Sequence, residues 1–276
     1  MRQTVEKTLV AFDCDGVIFD HIGEDFLCAY NALLTLFPET KAPGLPSRSL
    51  GLEDISQVRH ESSLFARFRS LAGLCLRAEE YYTALDISLN RDGNGLSIDE
   101  NEFHEAGKNS RELHHQFREE FYKARSHLQQ QALEKWVKII PIYPGVSDAM
   151  SGLASRPGTI VAAATGRDRN STVRLLAYNR IGRLFEHIAS RENGDTKLEQ
   201  LRYLSDLTSL PLGRMVYVDD KLTNLQEIEG HAIPALPDWG LTSPQDIQKG
   251  RQAGFEVVRL PTLYQQVDRL LTRLTV

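Results

Sequence analysis

Three short apolar runs organise the chain. Residues 8–12, 159–164 and 215–218 are apolar or small throughout, and a polar residue follows each run: Asp13, Thr165 and Asp219. Continuous runs of this length suit strands covered on both faces, as in a parallel sheet, rather than strands with one wet face. Helical patterns follow the second and third runs, as right-handed strand–helix–strand crossovers require. One such helix is expected to start at Asp195 as its N-cap, with Leu198, Leu201 and Leu204 on one stripe. Apolar stretches at residues 231–236 and 255–260 predict further strands. In a parallel sheet the polar strand ends converge at one edge, where ligands sit. Asp13, Thr165 and Asp219 are therefore expected to be neighbours.

Between the first and second runs the periodicity changes. Residues 62–85 read as a long amphipathic helix, with Leu64, Phe65, Phe68, Leu71, Cys75, Ala78, Tyr82 and Leu85 at helical spacing. Residues 111–137 read as another, with Leu113, Phe117, Phe121, Ala124, Leu128 and Trp136 on a stripe. Residues 26–59 carry no clear period, and residues 43–46 read as a loop. Pro141-Ile142-Tyr143-Pro144-Gly145 marks a return to the sheet-forming part. The predicted organisation is a sheet-forming core of residues 1–19 and 142–276, interrupted by a mainly α-helical domain over residues 20–141. Within that insert, Asn90-Arg91-Asp92-Gly93-Asn94-Gly95-Leu96-Ser97-Ile98 matches the first half of an EF-hand calcium loop. Ile98 then falls one place late and Asn101 stands where the closing Glu belongs, so the segment is read as a turn between helices.

Composition narrows the classes. The 276 residues suffice for a core plus a smaller domain, and 41% hydrophobic with 25% charged content is that of a globular protein. A net charge of −5 argues against binding nucleic acid by broad charge attraction. The apolar runs are too short to span a bilayer, and residues 1–7 lack a signal-peptide pattern. Three cysteines without metal-ligand spacing, Cys14, Cys28 and Cys75, suit a reducing cytoplasm.

The strand ends carry the chemistry. Asp13-Cys14-Asp15-Gly16-Val17 places two carboxylates two residues apart just after a buried strand. One can attack phosphorus while the other handles the leaving-group proton, and a divalent cation would offset their mutual repulsion. The alternative is a solvated acidic turn, since Asp-Gly is common in turns. Thr165-Gly166-Arg167 offers a hydroxyl and backbone N–H groups at a strand-to-helix junction, which suits a phosphate oxygen; Thr165 or Ser171 would serve equally as a simple N-cap. Lys197 sits at a helix start, where the helix dipole disfavours a cation, so a pairing with a carboxylate and a phosphate would explain it. Asp219-Asp220-Lys221 puts adjacent carboxylates after a buried strand, which favours a bound cation or a shared proton.

The ordered set Asp-x-Asp-Gly, Thr-Gly, Lys, Asp-Asp, with Tyr143-Pro144-Gly145-Val146 ahead of the second strand, resembles the haloacid-dehalogenase-like hydrolases. The resemblance covers residues 9–20 and 141–229 and implies an α/β fold: a Rossmann-like three-layer parallel-sheet core with an inserted helical cap. It implies that Asp13 is the nucleophile of an aspartyl-phosphate, Asp15 the general acid/base, Thr165 and Gly166 phosphate-binding and Lys197 charge-stabilising. It further implies a Mg2+ ion held by Asp13, the carbonyl of Asp15, and Asp220 or Asp219, with Asp220 preferred. Asn224 stands where many members have a second acid, and the proline that often follows the lysine is missing. The presence of Asp15 implies a phosphatase acting on a small phosphorylated metabolite rather than a dehalogenase. A phosphomutase of the same family and a catalytically silent binding protein are the rival expectations. Cap cations such as Arg48, Arg59, Lys123 and Arg125 would either meet an acidic substrate or lie on solvated helix faces.

Overall fold

The computed structural model describes residues 6–90 and 98–275, so most of the EF-hand-like segment lies outside the described residues. In chain order the elements begin with β1 (Thr8–Phe12), followed by α1 (Ile22–Leu36), α2 (Ile55–Glu61), α3 (Ser63–Ala72), α4 (Glu80–Asn90), α5 (Glu100–Asn109), α6 (Arg111–Gln131) and α7 (Leu133–Lys138). Then come α8 (Val146–Ala154), β2 (Thr159–Ala164), α9 (Arg169–Tyr178), β3 (His187–Ala189), α10 (Lys197–Thr208), β4 (Met215–Val218) and α11 (Leu222–Glu227). The chain ends with β5 (Ile233–Pro237), α12 (Pro244–Gln252), β6 (Glu256–Val258) and α13 (Leu263–Arg273). It divides into two compact units, residues 1–20 with 142–276, and residues 21–141. Among the described residues no helix is long and apolar enough to cross a membrane.

The first unit is an α/β sandwich of Rossmann type. Its six strands run in the order β3-β2-β1-β4-β5-β6, all parallel. The central strand β1 is buried along its whole length, which explains its unbroken apolar run. Alternation divides the strands' side chains between the two faces. Leu9, Ala11, Ala162, Met215 and Tyr217 join Leu201, Leu204, Leu222 and Leu225 in the core under α10 and α11. Helices α8 and α13 pack together and cover the other side of the sheet. Phe12 lies opposite Ala163 on one side and Val218 on the other, so the strand ends that lead into Asp13, Thr165 and Asp219 come level at one edge.

The structure corrects several element boundaries. The helix placed at 62–85 is two helices, α3 and α4, separated after Gly73; Leu64, Phe65, Phe68 and Leu71 on the first and Leu85 on the second stay buried, whereas Tyr82 is half-buried and Cys75 and Ala78 fall between the two. The helix placed at 111–137 breaks at Ala132, whose φ of −163° is extended, into α6 and α7. Helix α10 is capped by Thr196 rather than Asp195: the Thr196 hydroxyl accepts from the Glu199 N–H, and the Glu199 carboxylate accepts from Thr196 N–H. Strand β3 has no counterpart among the apolar runs.

The second unit is built on α1, which is buried from Ile22 to Leu34. Phe26 of α1 packs edge-on against Phe65 and Phe68 of α3, and Tyr81 of α4 stacks on Phe121 of α6. Two carboxylates of α1 are buried here with their partners. Glu24 accepts from Trp136 Nε1 at 2.6 Å and pairs with Arg125, and Asp25 accepts from Arg125 at 2.7 Å and from the Tyr81 hydroxyl at 2.5 Å. Arg125 is therefore an internal cation of the helical unit. Arg48 pairs with Asp54, Lys123 with Glu120, and Arg59 donates to the carbonyl of Ile139.

Candidate active site

At the carboxyl edge of the sheet, all the strand-end residues singled out in the sequence come together in the first unit. Asp13 leaves β1, and its Oδ1 accepts from the Cys14 N–H at 2.8 Å. Lys197, the first residue of α10, reaches the same oxygen with Nζ at 3.2 Å. Both donors sit on Oδ1, so Oδ2 keeps its lone pairs for an electrophile or a cation. Lys197 also donates to the Ala164 carbonyl at 3.2 Å, lies 3.5 Å from Asp219 Oδ2 and sits over the Tyr217 ring. The lysine is thus at a helix start because it spans three strand ends. Glu227 at the end of α11 accepts from the N–H groups of Lys197 and Leu198 and adds the negative charge that a helix N-terminus favours.

Asp219 is fully buried and held by three donors. Its Oδ2 accepts from the Tyr217 hydroxyl at 2.5 Å and from Asn224 Nδ2 at 3.0 Å, and its Oδ1 accepts from Lys221 N–H at 2.8 Å. Asn224, whose role the sequence left open, is therefore an orienting donor. Asp220 Oδ2 accepts from the Leu241 N–H, and the Thr242 hydroxyl donates to the Asp220 carbonyl. Residues 238–242, which follow β5, thereby clamp Asp220, and Trp239 Nε1 donates to the Val17 carbonyl of the first motif. Sequence reasoning missed this loop, because nothing local ties it to the acidic motifs. Gly16 at φ +85° and Gly240 at φ +78° permit the close approach: a Cβ on Gly16 would stand 2.0 Å from Asp220 Oδ2, and one on Gly240 2.2 Å from the Gly16 carbonyl oxygen.

Thr165 is buried after β2, and its hydroxyl accepts from the Arg167 N–H at 3.1 Å. The N-cap of α9 is Asp168, not Thr165 or Ser171, which releases the Thr165 hydroxyl from that duty. Gln200 of α10 donates to the Thr165 carbonyl and holds the turn. Arg167 turns back to Asp15 in a bidentate pair: Nε is 3.0 Å from both carboxylate oxygens and Nη2 is 2.9 Å from Oδ1. The sequence reading gave Arg167 no role of its own.

Burial pushes the Asp13 carboxyl up to about 7 against the pull of Lys197, and Asp219, Asp15 and Asp220 push the same way. For Lys197, burial alone would favour the neutral amine; Asp13 and Asp219 outweigh it and hold the ammonium charged. Burial, then Asp13, keeps the Cys14 thiol protonated and inert.

The donor set fits a hard divalent cation. Carboxylate oxygens of Asp13, Asp219 and Asp220 lie within 4.8 Å of one another.

Comparison with known proteins agrees with this geometry. Residues 7–230 match the family model of haloacid dehalogenase-like hydrolases. The sequence matches none of the curated proteins. Among solved structures, a predicted phosphoglycolate phosphatase from Haemophilus somnus is similar at 13% identity and a TM-score of 0.61, over 95% of this chain and 98% of its own. A haloacid dehalogenase-like hydrolase from Streptococcus pneumoniae is similar at 12% identity and a TM-score of 0.57, over 97% and 98%. A predicted phosphatase from Clostridium acetobutylicum is similar at 14% identity and 0.56, over 96% and 99%. With the family model covering strands β1 to β4 and the insert between β1 and β2, most of the chain, the protein belongs to the haloacid dehalogenase-like hydrolases.

Proposed function

We propose that the chain is a Mg2+-dependent phosphatase that hydrolyses a small phosphorylated metabolite through an aspartyl-phosphate on Asp13. The observation that carries the reading is the contact of Lys197 with Asp13 beside the Arg167-held Asp15, a nucleophile and a proton carrier on one strand end. Lys197 and the Thr165 hydroxyl would bind the phosphoryl oxygens and turn the phosphorus toward Asp13. Asp15 would protonate the leaving oxygen and then take a proton from the attacking water. Asp13, the carbonyl of Asp15 and Asp220 would hold the metal, which supplies charge neutralisation and polarises the phosphoryl group. Because Asp219 already accepts from three donors, we assign Asp220 as the direct ligand and Asp219 as the anchor of Lys197.

The helical unit, inserted directly after the first motif, is assigned the family's cap function of selecting the leaving group. The three buried cysteines, Cys14, Cys28 and Cys75, are in no disulfide, which suits a reducing cytoplasm. Phosphate release from a panel of phosphorylated metabolites, with Mg2+ and with chelator, tests the reading. Release that needs Mg2+ and vanishes in Asp13→Asn is expected. Release that survives chelation or the mutation would overturn it, and transfer to a second sugar hydroxyl under a bisphosphate activator would replace it with a mutase.

A further inference from the structure

Arg167 is among the largest fully buried side chains of the chain. A guanidinium keeps its charge under all ordinary conditions, so its burial requires an anionic partner. Asp15 is such a partner, yet its own side chain keeps 21% of its surface exposed while that of Arg167 keeps none. The arginine is therefore the fixed member of the pair and the carboxylate the accessible one. The backbone of Arg167 is anchored as well: its N–H donates to the Thr165 hydroxyl and its carbonyl accepts from Arg191 N–H.

We propose that Arg167 is a positioning residue that fixes the Asp15 carboxylate for both proton transfers. The proposal rests on the acid/base role given to Asp15 above. In the first step an Asp13 oxygen bonds to phosphorus, the bond from phosphorus to the leaving oxygen breaks with its electron pair, and that oxygen takes the Asp15 proton. In the second, water bonds to phosphorus and gives a proton to the Asp15 carboxylate. The bond from phosphorus to Asp13 breaks, its pair returning to Asp13, and inorganic phosphate leaves. One carboxyl group must be aimed correctly in both steps. A two-toothed guanidinium sets its rotation as well as its distance, which an ammonium cannot do.

The test compares Arg167→Lys, Arg167→Met and Asp15→Asn on an alkyl phosphate that the wild type hydrolyses and on p-nitrophenyl phosphate, whose leaving group needs no proton. With the alkyl phosphate, kcat/KM is expected to fall about 10²-fold in all three. With p-nitrophenyl phosphate, kcat/KM stays near wild type while kcat and KM fall together, and a nitrophenolate burst appears because water attack is slowed. Equal losses of kcat/KM on both substrates in variants that keep the wild-type circular dichroism would overturn the proposal. So would unchanged kinetics, or a failure of both arginine variants to fold. A wild type that cleaves no phosphate monoester would instead overturn the phosphatase reading itself, and the positioning role with it.

Discussion

Asp13 is held where ionisation is unfavourable, and its stability signature follows from that. Its folded-state pKa of about 7 exceeds the value of 3.8 expected in the unfolded chain. Between these values the folded state keeps a proton that the unfolded state has lost, so the contribution of Asp13 to stability declines as pH rises from about 4 to about 7. Above that window the buried carboxylate carries its full cost. In metal-free protein, Asp13→Asn should therefore raise stability at pH 8 by on the order of 2 kcal/mol, and the gain should shrink to less than about half of that at pH 5. Denaturant titrations of both proteins at the two pH values measure this, and an equal effect at both would refute the placement. Asp15→Asn should slow turnover by about 10²–10⁴-fold, read by steady-state kinetics. The acids were legible in the sequence because each follows a buried run. The Asp15–Arg167 pair was not, because its members lie 152 positions apart and only the folded sheet edge joins them.

The elements show what a hydrophobic pattern can and cannot specify. Leu64, Phe68, Leu71 and Leu85 are buried as their spacing required, yet the backbone under them breaks between α3 and α4. Periodicity reports which face is covered and says little about helix continuity when two consecutive helices bury the same stripe. Strand β3 escaped because three residues, His187, Ile188 and Ala189, form no run. The loop at 238–242 escaped because its contacts, the Leu241 N–H and Thr242 hydroxyl on Asp220 and the Trp239 indole on Val17, join residues at least 21 positions apart that no local pattern links. Close packing of this loop and the first turn yields a prediction. Gly16→Ala would put a methyl group into Asp220, and the positive φ adds strain, so the carboxylate must move. Mg2+ affinity, read by isothermal titration calorimetry, should fall by at least about tenfold, equivalent to roughly 1.4 kcal/mol. Retained affinity would show that Asp220 is not a ligand. At α10, Thr196→Ala should cost about 1 kcal/mol by loss of the cap, measured in urea unfolding.

At the scale of the whole molecule, site and fold are coupled through charge. Strands β1 and β4 and helix α10 deliver Asp13, Asp219, Asp220 and Lys197 to one edge, so repulsion among the carboxylates acts against the packing of the sheet ends themselves. A cation that binds only the folded arrangement stabilises the chain by mass action, by about 2.7 kcal/mol at a concentration one hundred times its Kd. The proton that Asp13 takes up near pH 7 competes for the same carboxylate, and binding the ion must expel it. Lowering the pH from 8 to 6 should therefore weaken Mg2+ binding, and the rise in Tm on adding a fixed, saturating concentration of Mg2+ should be larger at pH 8 than at pH 6. Asp13→Asn should lose most of the rise at both values, because it removes an anionic ligand and the competing proton together. Thermal melts of the two proteins, with Mg2+ and with chelator at each pH, check the coupling. A Tm rise independent of both pH and Asp13 would place the cation elsewhere on the protein and detach the fold's stability from this edge of the sheet.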